Sequence, residues 1–204
     1  MTYPVFAAVV GFSRLCAGVQ VMRPIVLIAA LTLCGAAIAG AAPVPAGSGW
    51  IEFTIRDFVI AHPPDWRVDP HHTHDLSPPI HGVSFTVAPE LVTGTNLGGD
   101  TALSVERVEG QCSASRFLDQ PEDEHMASDA GRNYSVATAG DAGAGNRYEE
   151  TVYALAHGKT CFGIRYFIHY AAIENFDPGS VRAFDRTALA AIFDRMRRSL
   201  EFVN

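Results

Sequence analysis

Residues 160–170 constrain the fold more than any other stretch of this chain. Phe162, Ile164, Tyr166, Ile168 and Tyr170 alternate with Gly163, Arg165, Phe167 and His169, which is the two-residue period of an extended strand with one face in a core. A run this long and apolar belongs in the middle of a sheet. Residues 148–156 precede it across His157, Gly158 and Lys159, a short connection with the glycine that hairpins prefer.

Shorter alternating runs surround this pair. Ile51, Phe53 and Ile55 alternate with Glu52, Thr54 and Arg56; Asp57 breaks the phase, and Phe58 and Ile60 resume on the other parity, so a turn or bulge is expected there. Pro63 and Pro64 must end that strand, because neither can donate to a ladder. Val83, Phe85 and Val87 predict a further strand, as do Leu103 and Val105. Residues 71–79, rich in histidine and proline, read as an exposed loop. Residues 112–118 read as a short middle helix that the acidic residues after Pro121 extend or follow, and residues 134–138 as a weak strand before a glycine-rich loop at 139–145. Val181, Phe184, Ala188, Leu189, Ile192, Phe193 and Met196 recur at three- and four-residue steps, predicting a long C-terminal helix with one apolar stripe and Ser180 as its N-cap. Strands followed by a terminal helix predict an α+β fold, an antiparallel β-sheet covered by the long C-terminal helix and the short middle helix.

The domain is expected to occupy residues 50–204. Residues 1–41 carry Arg14 and Arg23 and no acid. From Met22 they run through Arg23 and an apolar stretch beginning at Ile25 to small residues at 37–41, the order of regions in a secretory signal peptide. Met22 is an alternative start, which would make residues 1–21 an overrun. Retention of the apolar stretch as an anchor and lipidation at Cys34 are the competing readings. Residues 42–49, with two prolines and two glycines, form a linker. With the leader removed, no stable membrane span is expected, and the protein would be periplasmic or secreted.

A hydrophobic fraction of 48% with 18% charged residues excludes a disordered chain. A net charge of −7 and a single lysine, Lys159, exclude nucleic acid as a partner, since no basic stripe is available to displace phosphate counterions. Beyond the leader the cysteines are Cys112 and Cys161. They can pair in only one way, and an oxidising compartment favours a disulfide between them.

Residues 58–66, ending in Pro63, Pro64, Asp65 and Trp66, together with the closing residues 193–202, resemble the layout of PsbP-like proteins, relatives of the photosystem II extrinsic protein. Residues 94–97, Asp100 with Thr101, residues 141–150 and residues 165–170 resemble an uncharacterised family of secreted proteobacterial proteins. The second resemblance carries no activity. The first implies a non-catalytic accessory of a larger assembly, an analogy from fold alone.

Two constellations could carry chemistry. His71, His72 and His74 offer imidazoles to zinc or copper, with His72 and His74 on one side of an extended backbone and Asp75 or His81 as a further ligand. The competing reading is a solvated loop. Arg165 and His169 share the polar face of the central strand and could bind an anion or another polar ligand. No motif sets a nucleophile against a base: the chain has no G-x-S-x-G elbow, and its glycine-rich stretch lacks the phosphate-loop spacing. The expectation is therefore an exported, non-catalytic accessory or binding module of the bacterial cell envelope, with no resident cofactor and no stoichiometric zinc, its partner an envelope protein or a small ligand. The alternative is a metal-dependent or other hydrolase built on residues 71–74.

Overall fold

The computed structural model describes residues 49–203; the leader, the alternative start and the linker up to residue 48 lie outside the described residues. Strands β1 (Ile51–Thr54), β2 (Phe58–His62) and β10 (Glu201–Phe202) form a small antiparallel sheet in the order β1-β2-β10. The larger sheet contains β3 (Arg67–His74), β4 (Ile80–Thr86), β5 (Ala102–Glu109), β6 (Glu122–Asp129), β7 (Arg132–Gly143), β8 (Asn146–His157) and β9 (Thr160–Ala171). Its order is β3-β4-β5-β9-β8-β7-β6, antiparallel throughout. Two meanders, β3-β4-β5 and β6-β7-β8-β9, thus meet along the β5–β9 seam, and β9 is the central strand of seven. The β8–β9 hairpin turns at Gly158, whose φ of 62° suits glycine.

One face of the larger sheet holds the main core. Phe162, Ile164, Tyr166 and Ile168 of β9 pack there with Leu103 and Val105, Val83 and Phe85, and Phe58 and Ile60 of the small sheet. Helix α2 (Arg186–Ser199) closes this layer with Leu189, Phe193 and Met196, preceding which a one-turn helix α1 (Pro89–Val92) leaves β4. Trp66 meets Phe193 edge-on at 5.7 Å between centroids. Arg197 fastens α2 to the sheet, its Nε donating to the Tyr166 hydroxyl at 2.7 Å and its Nη2 to Asp129 at 2.6 Å.

On the opposite face a second, smaller cluster gathers Ile80, Ala137, Val152, Ala154 and Cys161 beneath Ala114, Phe117 and Leu118. The last three belong to, or directly follow, a 3₁₀ turn at Ala114–Phe117. Cys112 and Cys161 are disulfide-bonded, their Cα atoms 4.8 Å apart, which pins this turn to the central strand.

The α+β expectation is overturned. Strand accounts for 52% and helix for 16% of the described residues, so this is a mainly β domain carrying one helix of more than a few residues. The middle helix is only the 3₁₀ turn. Helix α2 begins at Arg186 and is capped by Asp185, whose Oδ1 accepts from the Ala188 amide at 2.9 Å; Ser180 is not its cap. Residues 181–184 stay outside because their backbone is engaged elsewhere. Arg182 bridges to Thr95, and the Phe184 amide donates to Asn96 Oδ1 at 2.9 Å.

Two further segments are strands. The acidic residues at 122–125 lie in β6, an edge strand whose charges remain in water and discourage pairing with another chain. The histidine run lies in β3, the opposite edge, where Pro70 is accommodated at a register shift between Asp69 and His72. Among the described residues no helix is long and apolar enough to cross a membrane.

Candidate functional site

The polar face of the β3–β4–β5–β9 half of the sheet holds the site. Cross-strand register decides which residues meet. His72 pairs with Gly82, Gly82 with Glu106, and Glu106 with Gly163. Residues in one such row share a face, so Glu106 lies between two glycines and His72 reaches toward it across a position without a side chain. Its Nε2 stands 3.6 Å from Glu106 Oε1. His74, two residues on, projects to the same face. One ligand atom each from His72, His74 and Glu106 lie within 4.8 Å of one another.

Glu106 is a buried carboxylate, its side chain 0% exposed. Arg165 grips it with two parallel bonds, Nε to Oε1 and Nη2 to Oε2, each 2.9 Å, and Ser104 donates to Oε1 at 2.7 Å. Burial pushes the Glu106 carboxyl upward, but the contacts from His72, Arg165 and Ser104 outweigh it and hold the group down at about 2. The carboxylate is therefore ionised at neutral pH. Two further donors of Arg165 are also committed, Nη1 to Glu150 and the second Nη2 hydrogen to the Phe117 carbonyl. Burial first, and the Arg165 charge second, lower the pKa of His74, against the pull of Glu106 and Glu150; its imidazole is neutral at pH 7.

Above this floor opens a cavity of about 370 Å³ whose walls include His72, His74, Asp75, Asp100, Arg165 and Phe167. His169 stands beyond Phe167 at the rim. Its Nδ1 is 2.6 Å from Asp100 Oδ1 and its Nε2 3.1 Å from Asn146 Oδ1, with the ring stacked on Tyr148 at 4.5 Å. A Cβ at Gly98 would lie 2.5 Å from that ring, so the glycine lets the turn lie against it.

The histidine triplet is divided by the strand. His72 and His74 face Glu106, whereas His71 is exposed, its amide held by Asp69 Oδ1 at 2.9 Å, and lines with His81 a second hollow that His72 also borders. No local spacing links Glu106, Glu150, Ser104 and Asp100 to the histidines, so the sequence does not mark them as part of this site. A signal was present in Gly82 and Gly163, isolated glycines inside strand patterns, which mark a close approach of other groups. Phe117 fills the space over Gly163, where a Cβ would lie 2.7 Å from its ring.

Gly82 provides a direct test. A Cβ there would lie 2.3 Å from the Val105 carbonyl oxygen and 3.0 Å from Glu106 Cγ. The first clash is with backbone and cannot be relieved by a rotamer change. Gly82→Ala is expected to destabilise the domain by about 1–3 kcal/mol, the usual range for overpacking, as measured by urea denaturation. A neutral result would show that β4 and β5 can separate freely.

A scan against models of protein families and a search of curated proteins each return no match for this chain.

Proposed function

We propose that this domain is an exported, non-catalytic accessory or ligand-binding module of the bacterial envelope, residing in the periplasm or secreted. Export is supported by the leader pattern of residues 1–41 and by the disulfide between Cys112 and Cys161, a bond of oxidising compartments. The cavity of about 370 Å³ falls in the size range of small-molecule sites.

The observation that carries the non-catalytic reading is the mutual pairing of the polar groups on the floor. Arg165 is bound to Glu106, Glu150 and the Phe117 carbonyl, and the Ser104 hydroxyl points its proton at Glu106. Catalysis needs a nucleophile within reach of a base that is itself oriented. Thr73 and His81 do pair, Oγ1 to Nδ1 at 3.1 Å. By register they project from the other face of β3 and β4, away from His72, His74 and Glu106.

Purified protein is expected to give no turnover of chromogenic esters, phosphate monoesters or peptides, with or without added zinc, and its mature N-terminus is expected after residues 39–41. Hydrolysis that disappears in His72→Ala would overturn the module reading in favour of the hydrolase.

A further inference from the structure

We propose that His72, His74 and Glu106 bind one divalent transition-metal ion of the zinc or copper type, so that the ligand of this module is, or is held through, a metal. The inference builds on the module reading and adds the chemistry of its site.

The ligand set is borderline in character, two imidazole nitrogens and one carboxylate oxygen, which suits zinc and copper better than magnesium or calcium. The backbone organises it. His72 and His74 are two residues apart on an edge strand and therefore project to one face, and Gly82 leaves the path from His72 to Glu106 open. Ligands about 2.0–2.2 Å from a tetrahedral zinc lie roughly 3.5 Å from one another. His72 and Glu106 already stand at 3.6 Å, and the full set lies within 4.8 Å, so side-chain adjustment alone completes the geometry.

Glu106 is also held as metal-binding carboxylates are held. Arg165 and Ser104 fix its orientation through bonds to both oxygens, the outer-shell support that ligands of built sites carry. The surrounding charge favours a cation. Arg165 pairs with Glu106 and Glu150, and Asp75 and Asp100 line the same cavity, Asp100 beside His169. Four of the five N–H donors of Arg165 are already taken by Glu106, Glu150 and the Phe117 carbonyl, which leaves an anion a single one. His72 keeps 26% of its side chain exposed, so an ion can enter from the cavity, where three protein ligands leave a fourth position for water or a bound molecule.

The test uses untagged protein from the periplasmic fraction, stripped with EDTA and titrated calorimetrically with zinc chloride and, separately, copper sulfate. A single equivalent is expected, with magnesium and calcium giving no heat. The double variant His72→Ala/His74→Ala should lose affinity by at least about 10- to 100-fold, the loss that removal of an outer-shell partner alone produces. His71→Ala/His81→Ala should bind as the parent does. Paramagnetic resonance of the copper form should show two equatorial nitrogens, reduced to one in His74→Ala, and circular dichroism will confirm that each variant is folded.

Absence of stoichiometric binding, or binding lost in His71→Ala/His81→Ala but kept in His72→Ala/His74→Ala, would overturn the site. The two readings fail separately. Metal binding accompanied by zinc-dependent hydrolysis leaves the site standing and removes the module; no metal and no hydrolysis removes the site alone.

Discussion

Arg165→Leu is expected to destabilise the domain by about 3–5 kcal/mol at neutral pH, the cost of breaking a buried ion pair from one side. The substitution leaves the Glu106 carboxylate, 0% exposed, with only Ser104 and a distant His72 contact, and it frees Glu150 and the Phe117 carbonyl as well. The Coulombic worth of the pair does not set this number. Burying both charges already offsets much of their attraction, so what is measured is the uncompensated carboxylate. Arg165→Leu/Glu106→Leu should accordingly recover most of the loss, since apolar replacements of a buried pair are often neutral or stabilising.

The dependence on pH has a definite sign. In the parent the Glu106 carboxyl is held at about 2, below its ordinary 4.5, so its contribution is full above 4.5 and fades as pH falls toward 2. Without Arg165, only the His72 and Ser104 contacts oppose burial, and the carboxyl is expected to rise above its ordinary value. Its contribution is then lost as pH rises. The gap between parent and variant should therefore be widest at neutral pH and narrow below about pH 4, as followed by urea denaturation across that range. A loss under about 1 kcal/mol at pH 7 would show that Glu106 finds water or protonates at little cost.

The same two residues show why the fold was more legible than the site. The alternation from Phe162 to Tyr170 and the glycine at position 158 are local signals, and they placed β8, β9 and the position of β9 at the sheet's centre. Arg165 was assigned to the polar face by the same parity. Glu106 meets it only because β9 returns beside β5 after fifty residues that contain β6, β7 and β8, and nothing near Glu106 announces that pairing. Local signals also misled. The proline beside the histidines argued for a loop, yet an edge strand tolerates Pro70 at its bulge. The acidic residues at 122–125 resemble a polar helix segment as readily as a solvated edge. The apolar spacing at Val181 and Phe184 continued the helical stripe, but Arg182 and Asn96 draw that backbone into a bridge.

Removal of the disulfide should have an effect of similar size. Cys112 and Cys161 are separated by 49 residues; opening a loop of that length releases about 4 kcal/mol of chain entropy in the unfolded state. Paired replacement by alanine is therefore expected to cost about 2–4 kcal/mol, a fall of roughly 5–15 °C in Tm for a domain of this size. A native-state contribution is separable. The bond holds the Ala114–Phe117 turn against β9, where Phe117 covers Gly163 and lends its carbonyl to Arg165. If the bond acts on the unfolded chain alone, hydrogen exchange of residues 112–118 in the native variant will match the parent. If it also clamps the turn, those amides will exchange faster while α2 and the β5–β9 seam stay protected. In that case Arg165→Leu will cost less in the alanine variant than in the parent, because one of its partners has already been loosened. A loss under about 1 kcal/mol would mean that Phe117 and its neighbours hold the turn without the covalent link.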